Sequence, residues 1–370
     1  MTTAILAPAR NVTAMEKTMD GRKSTNGKLA LVLGATGGVG GEMARALAAR
    51  GWSVRGLRRK PAEAGGDAPA MEWVVGDAMN AADVRAAAEG ASLIVHAVNP
   101  PAYRHWNRLV LPMLDNSIAA ASANDARILL PGTVYNYGPD VFPPIGETAP
   151  QNPVTRKGAI RVEMERRLHR AVGDGARLLI LRCGDFFGPR AANSWFSQGL
   201  LTPGRPPVRI TQPGRPGVGH QWAYLPDVAE TAMRLLDRES ELGDDAQFHM
   251  DGHWDDDGQR MIAAIAHALG KPGLPVRRMP WGLLRLASPL VPLFRELNEM
   301  RYLWERPVRL DNRRLLAFLG EEPHTPLDLA VRRTLAGLGC LEPEPLPAQP
   351  ADLPEAGRGV PNHANSSRSG

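Results

Sequence analysis

Three glycines, Gly34, Gly37 and Gly40, are spaced G-x-x-G-x-x-G within the stretch LVLGATGGVGGEM. Small residues in such a turn let backbone N–H groups approach a pyrophosphate at the N-terminus of a following helix. The flanks supply both neighbours that this chemistry needs. The run LALVL before the turn is short and continuously apolar, as in a parallel strand buried on both faces. After it, Met43, Ala44, Leu47 and Ala48 fall at helical spacing, and Gly51 is placed to end the helix. A glycine pattern alone is a weak signal. Strand, turn and helix in this order predict a dinucleotide site.

The elements that position this turn alternate. Residues 52–57 (WSVRGL) read as a second strand, 71–75 as a third, 92–98 (SLIVHAV) as a fourth, and 127–130 as the start of a fifth reaching Thr133. Between them fall a short helix capped by Asn80 or Asp83 and a long one over 103–124, with Pro112 as a kink or break. A strongly charged helix over 157–172 and a strand over 176–182 follow. The rhythm predicts an α/β fold: a Rossmann-like, doubly wound parallel sheet whose strand ends gather on one ligand-binding edge. From about 184 the rhythm breaks down, and helices at 227–236, 259–269 and through much of 280–340 suggest a smaller, mostly helical C-terminal substrate lobe. The expected division is a disordered tail (1–27), a dinucleotide-binding domain (28–190), a lobe with some segments returning to that domain (191–340), and a disordered Pro-rich tail (341–370).

Composition narrows the function classes. The chain has 370 residues, 43% hydrophobic and 22% charged, as in a soluble globular protein. Its net charge of +5 is spread along the chain without a dense basic block interleaved with aromatics, which argues for mild attraction to anionic ligands and against nucleic-acid binding. Cys183 and Cys340 are far apart with no CxxC, which fits a reducing cytoplasm better than a disulfide framework or a structural zinc site. No apolar run is long enough for a transmembrane helix, residues 1–27 lack a signal-peptide apolar region, and Met15 and Met19 are alternative starts. The acidic runs at 243–245 and 255–257 have no His or Cys partners at ligand spacing, so they read as helix caps or solvated loops and no metal is expected. His96, inside an apolar strand, reads as a hydrogen-bonded core residue.

Together these pieces resemble the short-chain dehydrogenase/reductase superfamily, in its extended or atypical branch of NAD(P)-dependent epimerases and dehydratases. GATGGVG at 34–40, GDA at 76–78, LLPGTVYNYGP at 129–139 and LRCGDFFGP at 181–189 carry the resemblance. HQWAYLPDVAE at 220–230 and RLDNRRLLAFLG at 309–320 continue it in family order. It implies cofactor contacts from Gly34, Thr36, Gly37, Gly38, Val39 and Gly40, from Asp77 and Ala78 beside the adenine, and from Ala97 and Val98, with Asn99 on the substrate side. The alternative for Asp77 is a turn or cap carboxylate. In NAD-selective proteins of this fold an acidic residue ending the second strand holds the ribose 2′-OH. Here Leu57, Arg58 and Arg59 stand there with no carboxylate, and a guanidinium favours a 2′-phosphate. NADP(H) is therefore expected over NAD(H), unless the two arginines are simply a solvated loop.

The catalytic pattern departs from the family. The resemblance assigns Thr133 to orient the substrate oxygen, but the Tyr acid/base and the Lys four residues on are missing. Alignment on Glu165 puts Lys157 at the Tyr position and Arg161 at the Lys position. Three readings stand. Lys157, on one helix face with Arg161 and depressed in pKa by its like charge and by burial, is the acid/base while Arg161 grips ribose hydroxyls. Alternatively, Tyr135 or Tyr137 supplies a phenol, sharing Thr133's face if the strand runs that far. Or the protein binds NADP without turnover, as NmrA-like regulators are thought to do.

On the substrate side, motif alignment puts Asp185 and His220 where nucleotide-sugar epimerases hold an Asn and an Arg against the diphosphate. A carboxylate facing a diphosphate is repelled by roughly 1 kcal/mol at contact distance even when well screened, which counts against a nucleotide sugar. Asp185 then accepts from a hydroxylated or cationic substrate or is a paired structural acid; His220 is a substrate donor or a packed side chain beside Trp222. The expected substrate is a small polar molecule reacting at a hydroxyl or carbonyl carbon. The stretch WGLLRLASPLVPLF at 281–294 is apolar enough for a membrane-surface helix, but its two prolines and family position favour a cleft-lining or packing role, so no membrane contact is expected. Helices 103–124 and 157–172 commonly pair across dimers in this family, which implies a homodimer.

Overall fold

The computed structural model describes residues 27–61, 71–100 and 105–342. The expected tails lie almost wholly outside these residues, as does the start of the long helix expected at 103. Six strands come first: β1 (Leu29–Leu33), β2 (Ser53–Arg58), β3 (Glu72–Val75), β4 (Leu93–His96), β5 (Arg127–Gly132) and β6 (Arg177–Arg182). The chain then leaves the sheet through β7 (Asp185–Phe187), β8 (Ile210–Gln212) and β9 (His220–Tyr224), and returns with β10 (Asp245–His249). The seven-stranded sheet has the order β3-β2-β1-β4-β5-β6-β10 and is parallel throughout. This is the expected Rossmann-like topology.

Successive residues of each strand serve opposite layers, as the twofold side-chain period requires. Val32, Val95, Leu129 and Leu179 pack toward α1 (Gly38–Ala49), and Leu31, Ile94, Ile128 and Ile180 pack toward α2 (Ala81–Ala87), α3 (Trp106–Ala123) and α4 (Arg156–Gly173). The helix α5 (Leu225–Asp237) closes the first layer against α1. Asn80 caps α2 by accepting from Ala82 N–H, and Thr155 caps α4 by accepting from Gly158 N–H.

Three expectations are corrected. Pro112 does not break α3, which is helical over 18 residues. Pro112 is exposed while Val110, Met113 and Leu114 are buried. Burial of several such side chains at roughly 1.5–3 kcal/mol each outweighs an internal proline costing about 3 kcal/mol. The fourth strand stops at His96: Ala97 still donates to Leu33 O at 3.0 Å, and the chain then turns across Gly34. The fifth does not run on to Tyr137; after extended Thr133 the backbone closes into a 3₁₀ turn over Val134–Asn136.

The second lobe has its own core, built from Tyr137, Phe187, Phe196, Trp222, Trp304, Val331 and their neighbours. It contains β11 (His253–Asp255), α6 (Arg260–Ala268), β12 (Val276–Arg278), α7 (Trp281–Ala287), α8 (Pro292–Glu299) and α10 (Leu327–Gly337), while α9 (Arg313–Leu319) returns to the main sheet, where Leu315 joins the α1 layer. Strands β11, β9 and β7 form a small sheet, in which β9 pairs parallel with β7 and antiparallel with β11.

Candidate functional site

The glycine turn is close-packed backbone. Gly34 adopts φ +88°, and a Cβ there would lie 2.6 Å from Ala97 O; a Cβ on Gly40 would lie 2.3 Å from Gly34 O. No side chain larger than hydrogen fits either position without moving main chain. Gly37, which precedes α1, has no side-chain cap to offer, and no acidic residue occupies the first turn. The N–H groups at the start of α1, around Gly38, Val39 and Gly40, and the positive end of its dipole are thus available to an anion. Thr36 and Gly37 are exposed at the lip of the turn, with Ala97 and Val98 against Gly34 and Asn99 exposed beyond them. These residues, far apart in sequence, meet at the carboxyl edge of β1 and β4. The cradle fits a dinucleotide pyrophosphate.

At the end of β2, the Arg58 guanidinium lies 4.9 Å over the Trp73 ring and donates to the carbonyls of Lys60 and Pro61, while Arg59 is exposed. One carboxylate oxygen of Asp77 accepts from Met79 N–H at 3.0 Å, the turn geometry weighed as its alternative role. Ala78 O accepts from the Asn116 amide at 2.8 Å, which pins this loop to α3.

Thr133 lies at the carboxyl end of β5. Its Oγ1 is buried and meets no partner among the described residues, an uncommon state for a buried hydroxyl. Its carbonyl accepts from Arg182 Nη1 at 2.7 Å. Arg182 is wholly buried, pairs with Glu165 at 2.6 Å, and stacks over Tyr137. Burial acts to raise the Glu165 pKa, but the charge and hydrogen bond of Arg182, with the Gln151 amide, outweigh it and leave the carboxyl below its usual range. Sequence reasoning missed Arg182; the visible signal was a lone cation ending the apolar strand LLIL. It also missed Gly158, where a Cβ would meet Tyr135 O at 2.3 Å, so that glycine lets α4 press on the turn after Thr133.

The surroundings expected for Lys157 are not those found. Its ammonium is buried, donates to Glu296 O at 2.9 Å, and lies 2.7 Å from the Glu296 carboxylate and 3.6 Å from that of Glu299. Two carboxylates from α8, not a like charge, are charge partners of this ammonium. Arg161 lies with its guanidinium 5.2 Å over Trp106 at the start of α3, and its charge joins burial in depressing His96 to about 3. His96 accordingly is a core residue, 2.8 Å from Ser117 Oγ. Tyr135 and Tyr137 do not share Thr133's face; both are buried in the second-lobe core, with the Tyr137 hydroxyl 3.4 Å from His249 Nε2.

Asp185 and His220 do meet. His220 Nε2 is 2.8 Å from Asp185 Oδ2, both side chains more than nine-tenths buried. The imidazole stacks flat on Trp304 at 3.7 Å, with the Trp222 ring 4.9 Å away, and its Nδ1 is buried with no partner among the described residues. His220 lines a narrow apolar pocket with Leu200, Pro213, Trp222, Met261 and Trp304. The acidic run at 255–257 behaves as a cap: both Asp255 oxygens accept N–H groups at the start of α6, and Asp257 accepts from Gln259 N–H.

Residues 34–165 match the NAD(P)H-binding family. No curated protein matches the chain. Among solved structures, MoeE5 in complex with UDP-glucose and NAD is similar at 16% identity and TM-score 0.64, over 84% of this chain and 98% of that one. The Bordetella bronchiseptica enzyme WbmH in complex with NAD+ is similar at 20% identity and TM-score 0.61, over 84% and 97%. UDP-N-acetylglucosamine 4-epimerase from Bacillus cereus is similar at 17% identity and TM-score 0.63, over 86% and 98%. The fold is that of these solved structures, and residues 34–165 match the NAD(P)H-binding family.

Proposed function

We propose that this chain is an NADP(H)-dependent oxidoreductase or epimerase-like enzyme acting on a hydroxyl or carbonyl carbon of a small polar molecule. The observation that carries the reading is the unpartnered, buried Thr133 hydroxyl, on the sheet edge that also bears the Gly34–Gly40 cradle. In this reading the amides around Gly38 to Gly40 hold the pyrophosphate, Asp77 and Ala78 border the adenine, and Arg59, with Arg58 swung from its own loop, meets the 2′-phosphate. Arg161 holds ribose hydroxyls. A bound nicotinamide supplies hydride transfer. Thr133 orients the substrate oxygen, with Arg182 and Glu165 fixing its backbone from behind. Lys157 is reassigned from acid/base to a tether between α4 and α8. Asp185 polarises His220, whose free Nδ1 is the better-placed proton carrier in the substrate lobe.

A catalytically silent NADP-binding regulator is the second reading, favoured by the Trp304 ring stacked on His220 and by Lys157 being tied to α8. Titration of the protein with NADPH and NADH, followed by a carbonyl-substrate screen with NADPH, tests both. Tighter NADPH binding with turnover supports the enzyme; tighter NADPH binding and no turnover across the panel supports the regulator. Equal binding of the two cofactors overturns the NADP(H) preference.

A further inference from the structure

The segment expected to line the cleft or pack does so only in part: Trp281 packs against the second-lobe core, and other apolar positions stay exposed. In the hairpin of α7 and α8, Leu283 is 66% exposed, Leu286 79%, Leu290 at the bend 87%, and Leu293 45%. Leu283 and Leu286 are one turn apart on α7, and Leu293 lies in the first turn of α8. Single exposed leucines are ordinary; four of the five leucines from 283 to 293, all but half-buried Leu284, projecting from one hairpin are an apolar patch. The base of the hairpin, by contrast, is fixed. Trp281 Nε1 donates to Pro213 O at 2.8 Å and its ring lies under Arg301, while Glu296 and Glu299 are paired with buried Lys157. The apolar tip is therefore presented by a held scaffold.

Along the chain the charge leading into and through the hairpin has one sign up to Arg295, which lies 3.8 Å from Glu296. From residue 271 to 295 the chain carries Lys271, Arg277, Arg278, Arg285 and Arg295 and no Asp or Glu. All five are exposed. We infer that the α7–α8 hairpin is a docking element for an anionic lipid surface. The leucines enter the headgroup–acyl boundary while the flanking cations face lipid phosphates. No helix among the described residues is long and apolar enough to cross a membrane, so the contact is peripheral. A second copy of the chain is the less apt occupant, because symmetry would bring this all-cationic rim against itself.

Co-sedimentation of the full chain with vesicles of phosphatidylcholine alone, and of phosphatidylcholine with phosphatidylglycerol, tests this. Binding is expected only to the anionic vesicles and weakens with added salt. The double variant L286E/L290E, changed where the side chains touch mainly solvent, is expected to lose binding. R277Q and R278Q each weaken it about fivefold. Unchanged circular dichroism and unchanged NADPH titration show that these variants still fold. No sedimentation with anionic vesicles, or binding that L286E/L290E leaves intact, overturns the inference. So does a dimer in sedimentation velocity that L286E/L290E dissociates without any vesicle binding.

Discussion

Thr133 and Arg182 separate two kinds of buried polar group. The Thr133 hydroxyl has no partner among the described residues, so Thr133→Val, close in shape, changes stability by less than about 1 kcal/mol. If the hydroxyl orients substrate, the same change lowers turnover at least about tenfold once a substrate is in hand, which is roughly the worth of one transition-state hydrogen bond. Stability unchanged and turnover unchanged would remove Thr133 from the site. Arg182 is the opposite case. Arg182→Met strands the Glu165 charge in the interior and is expected to cost about 3–5 kcal/mol in urea unfolding, whereas Arg182→Met with Glu165→Leu recovers most of it. Additive losses in that cycle would show that the pair is not coupled. The exposed Arg166–Glu163 pair, at the same 2.6 Å, contributes little, because water screens it.

At the scale of elements, the glycine turn was legible because its function is written in the absence of side chains. Gly40→Ala would place a methyl 2.3 Å from Gly34 O, so the turn must open and NADPH binding, read by fluorescence titration, is expected to fall more than tenfold. Retained affinity would mean the cradle is not where the cofactor sits. The alternating strands were legible for a similar reason: both faces of the sheet are covered, so Leu29–Leu33 and Leu93–His96 are apolar at nearly every position. Strand ends were not. Whether β5 runs on past Thr133 depends on how α4 presses against the turn at Gly158, a contact between residues more than twenty apart that no local pattern contains. The partners of Lys157 were hidden for the same reason. Like-charge spacing with Arg161 was visible in one helix, but Glu296 and Glu299 arrive from α8. Asp185 and His220 were singled out separately by motif; their pairing belongs to the β7–β9 register, where Asp185 lies beside Trp222.

For the whole molecule, buried histidines and buried carboxylates contribute to the response to acid in overlapping windows. Burial holds His96 and His249 at about 3, each also facing an arginine, Arg161 and Arg182 respectively. In the unfolded chain both titrate near 6.5, so between about 6.5 and 3 the unfolded state binds protons that the folded state refuses. Stability therefore falls as pH falls through this window, by about 1.4 kcal/mol per pH unit for each histidine once below its unfolded pKa. Glu165 is lowered from 4.5, so its contribution is present above 4.5 and is lost only as pH drops through its folded value. Urea unfolding at pH 7.0, 6.0 and 5.0 should thus show declining stability, opposed in part by Asp227 and Glu322, whose carboxyls burial raises and which favour the folded state as pH falls. His249 is the informative position, because its Nδ1 is 3.0 Å from Ile145 O and its Nε2 is 3.2 Å from Arg182 Nε. His249→Gln removes the titrating ring; the variant is less stable at pH 7, and its slope between pH 6 and 5 is shallower than wild type by about one proton. A parallel pair of curves would show that His249 does not take part, and a flat wild-type curve from pH 7 to 5 would show that the interior admits protonated histidine after all.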